Sequence, residues 1–94
     1  MKLLWHPLAR HDIVDLVAFI SEDNPKAARA MVQRIRKAAK MLCQHPGLGR
    51  PGRVLGSREL VVSGTPYILP YRVDDDGVEI LRVYHAARQW PDRF

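Results

Sequence analysis

One cysteine, Cys43, stands in 94 residues. It excludes an intramolecular disulfide and a zinc knuckle built on cysteine pairs, and a reduced intracellular setting is the expectation. Long apolar runs are absent too. Nothing approaches the roughly 18 consecutive apolar residues of a membrane span, and His6, Pro7 and Arg10 interrupt the region where a secretory leader would need its apolar core. No membrane contact is expected. No pair of histidines has metal-ligand spacing, so neither metal nor cofactor is expected. Gly47, Gly49 and Gly52 do not lead into a helix as a phosphate-binding loop must. Internal repeats and low-complexity segments are also missing.

The most telling absence is of acid. Residues 26–58 hold nine basic side chains (Lys26, Arg29, Arg34, Arg36, Lys37, Lys40, Arg50, Arg53, Arg58) and no carboxylate. Residues 1–25 carry two basic and four acidic groups, and residues 59–94 four and six, so the overall +5 is that one segment's +9 less 2 and 2. Such a surface attracts polyanions or an acidic protein.

The length fits one domain, residues 1–94, with an apolar fraction of 47%, ordinary for a soluble globule. Met1–Trp5 reads as a strand ended by His6-Pro7. Pro7 suits the first position of a helix, where its missing N–H costs nothing. Ala9, Ile13, Leu16, Val17 and Ile20 then recur at helical spacing, predicting a helix over Pro7–Glu22. Asn24-Pro25 restarts the chain as N-cap and first helical residue. Ala28, Met31, Val32, Ile35, Ala38, Ala39 and Leu42 mark the apolar stripe of a second helix, Pro25–Gln44, with Arg29, Gln33, Arg36, Lys37 and Lys40 opposite. The short connection makes the two an antiparallel hairpin. Pro46–Gly56 reads as a loop.

Arg58–Pro91 is the most distinctive stretch. Three apolar runs, Glu59–Val62, Tyr67–Val73 and Val78–His85, are separated by turn residues and predict an antiparallel meander. Pro70 cannot donate to a ladder, so a bulge or an outward-facing position is expected there. Asp76-Gly77 signals a hairpin, with three consecutive aspartates suggesting a loop longer than two residues. The fold class is α+β, ordered β-α-α-β-β-β, with the helical hairpin packed on a small, mostly antiparallel sheet.

That order, with Asn24-Pro25-x-x-Ala28 opening the second helix, resembles the RelE/ParE family of type II toxins. The matching phrases are Gly49-Arg50-Pro51-Gly52, Arg58-Glu59-Leu60-Val61-Val62, Tyr67-Ile68-Leu69-Pro70-Tyr71-Arg72-Val73, Val78-Glu79-Ile80-Leu81-Arg82-Val83-Tyr84-His85 and Ala87-Arg88-Gln89-Trp90-Pro91. The resemblance spans essentially the whole chain. It implies a cytoplasmic toxin that forms a hetero-oligomer with a cognate antitoxin, whose helical or extended segment covers the hairpin and an open sheet edge. It also implies a cellular target: the ribosome with its mRNA, cut by RelE-like members, DNA gyrase, poisoned by ParE-like ones, or another, since some members have no proven target.

Metal-free RNA cleavage needs a base for the 2′-OH, an acid for the leaving oxygen and cations for the phosphorane. The ribonuclease branch places basic residues where Val61, Val62 and Ile68 stand here, and aliphatic side chains supply none of that chemistry. A ribonuclease would have to draw on His85, Arg82, Arg88, Arg72 and Glu59, with Glu59 otherwise a salt-bridge partner of Arg58, Arg72 or Arg82. A ParE-like inhibitor would present Arg58, Arg72, Arg82, Arg88 and Trp90 to its target. Strict alternation puts Arg82 and Tyr84 on one face of the last strand, and Leu81, Val83 and His85 on the other. Tyr67, Tyr71 and Tyr84 are expected in the core. The gyrase inhibitor is the favoured reading and the ribosome-dependent endoribonuclease the alternative.

Overall fold

Two helix starts, each made by a side chain followed by proline, set the frame of the molecule. In the computed structural model, which describes residues 1–87, strand β1 (Lys2–Trp5) leads into helix α1 (Pro7–Ser21), where the His6 ring accepts a hydrogen bond from the Leu8 N–H at 3.1 Å. Helix α2 (Pro25–Gln44) starts the same way, the Asn24 side chain accepting from the Ala27 N–H at 3.1 Å. Each cap satisfies one of the N–H groups a helix leaves unpaired at its start. The helical hairpin and the antiparallel meander are as the sequence predicts.

The strands that follow are β2 (Arg50–Pro51), β3 (Arg58–Val61), β4 (Tyr67–Asp74), β5 (Gly77–Ile80) and β6 (Tyr84–His85). They form one sheet in the order β1-β5-β4-β3-β2, with β6 also on β4. Among the described strands only β1 against β5 is parallel. Ala9 and Leu16 of α1, and Ile35, Ala39 and Leu42 of α2, pack over Tyr67, Leu69, Tyr71, Val78, Ile80 and Val83 of the sheet. Side chains alternate along β4, so Ile68, Pro70 and Arg72 lie on the other face. Ile68 and Pro70 are buried there as well, while Arg72 is exposed.

Three details depart from the sequence reading. The stretch expected to be loop contains β2, because Arg50 and Pro51 pair with Glu59 and Arg58. The β4–β5 hairpin has a loop of two residues, Asp75 and Asp76, since Asp74 pairs with Gly77. The three aspartates do not lengthen it: Asp74 stays in the ladder and its carboxylate accepts from the N–H groups of Asp76 and Gly77 at 2.8 and 3.3 Å. Gly77 has φ +144, and a Cβ there would collide with the Lys2 carbonyl of neighbouring β1.

The third departure breaks the last strand in two. Tyr71 pairs with Ile80 but Ile68 pairs with Tyr84, so Leu81, Arg82 and Val83 stand opposite only Leu69 and Pro70. Leu81 donates to the Pro70 carbonyl at 2.9 Å, and Pro70 has no N–H to return. The result is a bulge facing Pro70, with the extra residue on the 81–83 segment rather than at Pro70 itself, which pairs regularly with Glu59. Its extra residue puts Leu81 on the face away from the helices while Val83 joins the helix-side core, overturning the expected grouping of Leu81 with Val83 and His85. Arg82 and Tyr84 remain together, the guanidinium lying 4.7 Å above the ring.

Candidate functional site

The bulge swings Arg82 toward α1, where Asp12 sits between Ala9 and Leu16 on the helix's buried side. Arg82 Nε and Nη2 donate to the two oxygens of Asp12 at 2.8 and 2.9 Å. The Val83 N–H adds a third bond at 2.9 Å, so the carboxylate is held by both the side chain and the backbone of the bulge. Asp12 is 7% exposed. Its hydrogen bond holds Arg82 protonated even more firmly than usual, against the opposing effect of partial burial. Arg82 therefore ties α1 to the sheet, and its forked donor face is occupied.

Glu59 is equally engaged, though not by the arginines expected. Its carboxylate, 2% exposed, accepts from Arg50 Nη2 at 3.2 Å and from the Arg53 N–H at 2.8 Å, with Arg53 Nε 3.7 Å away. Arg50 is Glu59's register partner across the β2–β3 ladder. Arg58 is adjacent in sequence and so points to the opposite face, where it donates to the Gly49 carbonyl at 2.9 Å. Arg72 is exposed on β4, opposite Glu79. Neither of these, nor Arg82, contributes to the Glu59 pair.

His85 is exposed and its ring meets Tyr67 edge-on, centroids 5.7 Å apart. The ring accepts from the Ala87 N–H at 3.2 Å. Because His85 pairs with Tyr67, a member of the helix-side core, it projects on the helix side. There it lines a cleft of about 210 Å³ with Asp12, Asp15, Leu16, Phe19, Tyr67 and Val83. Glu59 pairs with Pro70 and projects on the opposite side. The two are separated by three residues along β4, about 10 Å, and flank that strand on either side. Val61 and Ile68 are apolar neighbours across the β3–β4 ladder. Arg88 and Trp90 lie outside the described residues.

The sequence reading missed Asp12 and the pair Arg50–Arg53. Asp12 had a signal, an acid inside the apolar stripe of α1 between Ala9 and Leu16. The Glu59 partners had none, because they follow from the register of a two-residue strand. A clamp at the end of α2 was also missed. The Tyr71 hydroxyl accepts from the Gly49 N–H at 2.8 Å and donates to the Pro46 carbonyl at 2.7 Å. A Cβ at Gly49 would lie 2.6 Å from that ring, so only glycine fits. Burial raises the Tyr71 phenol above its usual range, partly offset by the Gly49 N–H and by Arg58, and burial raises Tyr67 as well.

Two other surface features frame this region. A groove of about 360 Å³ between the helices is lined by Val17, Ala28 and Val32, with Arg29, Gln33 and Arg36 at its side. At the edge of the sheet, β2 pairs among the described residues only with Arg58 and Glu59, and Val61 further along β3 is half exposed. Among the described residues no group of three or more His, Cys, Asp or Glu is placed to hold a metal ion, and no helix is long and apolar enough to cross a membrane.

Residues 3–90 match the ParE toxin of the type II toxin-antitoxin system parDE. "Putative toxin Y4kP" of Sinorhizobium fredii is 44% identical over 90 residues, covering 96% of this chain and 93% of that one. "Toxin RelE2" of Caulobacter vibrioides is 37% identical over 87 residues, 93% of this chain and 97% of that one. A solved chain from the chromosomal ParDE TA system of P. aeruginosa superposes with a TM-score of 0.80 at 31% identity, covering 90% and 95% of the two chains. With two helices on a mostly antiparallel sheet, and matches that run from β1 past β6, the chain belongs to the RelE/ParE family and is the toxin of a type II toxin-antitoxin system.

Proposed function

We propose that this toxin stops growth by binding its target rather than by cutting RNA, and that the target is DNA gyrase. The carrying observation is the dispersal of the groups a metal-free ribonuclease would use. His85 and Glu59 project from opposite sides of the sheet, so they cannot act as acid and base on one phosphate. The Arg82 and Glu59 side chains are engaged in ion pairs inside the fold. The ParE match over residues 3–90 and the ParDE neighbour favour the same branch. Gyrase and DNA are cytoplasmic, and the reading places the toxin there, in a complex with its antitoxin.

The antitoxin's expected seat is the groove between the helices. Its floor of Val17, Ala28 and Val32 suits apolar side chains, and Arg29 and Arg36 suit carboxylates. Two assays run side by side test the target. The purified toxin should inhibit gyrase supercoiling or trap gyrase cleavage complexes, and adding the antitoxin should reverse this. On programmed ribosomes it should leave mRNA 5′ ends unchanged. New codon-specific ends on ribosomes with normal supercoiling would replace this reading with the ribonuclease.

A further inference from the structure

The engaged arginines of the sheet leave the molecule's unbalanced charge on α2. The helix is 20 residues long and carries Lys26, Arg29, Arg34, Arg36, Lys37 and Lys40. At 100° per residue, five of them (Lys26, Arg29, Arg36, Lys37, Lys40) fall within an arc of about 100°, and from Lys26 to Lys40 they climb about 21 Å at 1.5 Å per residue. All five are exposed. The ion pairs among the described residues join Arg50, Arg53, Arg82 and His11 to carboxylates, and none includes a cation of this stripe. Arg34 stands apart on the helix and reaches the Gly64 carbonyl at 3.4 Å. Arg10 of α1 extends the patch, since it lines a cavity of about 290 Å³ together with Arg36. The nearest acids in sequence, Glu22 and Asp23, lie in the turn before the helix.

We infer that this face of α2 binds the phosphate backbone of duplex DNA, independently of which enzyme the toxin stops. A row of cations with no acid between them is the footprint of a sequence-independent phosphate contact. Three features narrow the occupant. No aromatic residue lies anywhere in α2, and Trp5, which shares the Arg10–Arg36 cavity, is one half-buried ring beside the stripe rather than the succession of rings that holds a single strand. The stripe is straight and one helix wide, which suits the major groove of B-form DNA, about 12 Å across, whereas the deep, narrow groove of A-form RNA excludes a helix. Arg29 and Arg36 also border the apolar groove proposed for the antitoxin, but Lys26, Lys37 and Lys40 lie outside its lining, so an acidic protein reaching them would gain charge without an apolar anchor.

The test is fluorescence anisotropy of the full-length toxin alone with a labelled random-sequence duplex of about 20 base pairs. Binding should appear at about 50 mM salt, with log K falling against log salt at a slope of about −4 for four or five phosphates. That is a loss of about 250-fold by 200 mM. Arg36→Glu and Lys40→Glu should each flatten the slope by about one or more, and the triple Arg36→Glu, Lys37→Glu, Lys40→Glu should abolish binding while circular dichroism stays native. Lys2→Glu, exposed on β1, changes the net charge equally and should leave the slope nearly unaltered. Absence of binding at 50 mM salt would show an ordinary solvated helix face and overturn the inference. So would equal loss with Lys2→Glu, tighter binding to duplex RNA of the same length, or equal binding to polyglutamate of matched charge. Gyrase assays play no part in the measurement, so its failure leaves the target reading intact, and the reverse.

Discussion

At the scale of single residues, Asp12 is the position on which the candidate site turns. It lies under α1 with three donors around it, two from Arg82 and one from the Val83 backbone. Removing it leaves Arg82, whose side chain is 20% exposed, without its counter-charge and a buried N–H without an acceptor. Asp12→Ala should therefore cost about 2–4 kcal/mol, toward the lower part of the range for broken buried pairs because Arg82 keeps some access to water. Urea unfolding measures this, and a change below about 0.5 kcal/mol would refute the tie. Arg50→Ala, at the half-exposed end of the Glu59 pair, should cost less.

Burial also sets how the tyrosines respond to base. Tyr67 and Tyr71 have phenols raised above 10.0 in the folded chain, chiefly by desolvation. Above that pH the unfolded chain loses these protons while the folded one retains them. Stability must then fall as pH rises, being fully present below pH 10 and lost through the raised folded values. The urea midpoint should be lower at pH 10.5 than at pH 8, with tyrosinate absorbance developing late in the native protein. A midpoint that is flat or rising across that interval would contradict the burial of these hydroxyls.

Elements were legible where a local rule decides them. Pro7 and Asn24-Pro25 mark helix starts because proline and the cap act within one turn, and both helices begin at those prolines. Asn24→Ala should lower stability by about 1 kcal/mol through loss of the bond to Ala27, read as a shift in thermal midpoint; an unchanged midpoint would mean the cap is idle. Pro70, with no N–H, marked the place of the disturbance, but the extra residue lies on the segment facing it. What the sequence did not disclose depends on register. Whether Leu81 falls on the face of Val83 is decided by one extra residue between Ile80 and Tyr84, and a one-residue slip reverses every side chain after it. The partners of Glu59 depend likewise on Arg50 lying across from it. Arginines spread through a meander look equivalent in sequence, yet Arg82 is internal, Arg58 bonds a loop carbonyl and Arg72 is exposed.

On the scale of the whole molecule, the same distribution separates residues that hold the fold from those available to a target. A binding toxin needs an exposed surface and no proton transfer, whereas a ribonuclease needs His85 or an equivalent acid. His85→Ala removes a ring that touches only Tyr67 and the Ala87 N–H among the described contacts, so the protein should stay folded. If the target reading is right, induced expression of His85→Ala should arrest growth nearly as well as the parent, and its inhibition of supercoiling should match. Arg72→Glu, exposed on β4, should instead weaken inhibition by roughly 5–150-fold, the equivalent of losing about 1–3 kcal/mol at a charged contact. Charge reversal at Arg82 is the wrong probe, because it would place two carboxylates together under α1 and unfold the protein before any target was met. A ribonuclease predicts the opposite pattern: His85→Ala should lose about 10²–10⁴ in cleavage rate. Folded His85→Ala protein that no longer arrests growth, at an expression level matched to the parent, would therefore decide against the gyrase inhibitor.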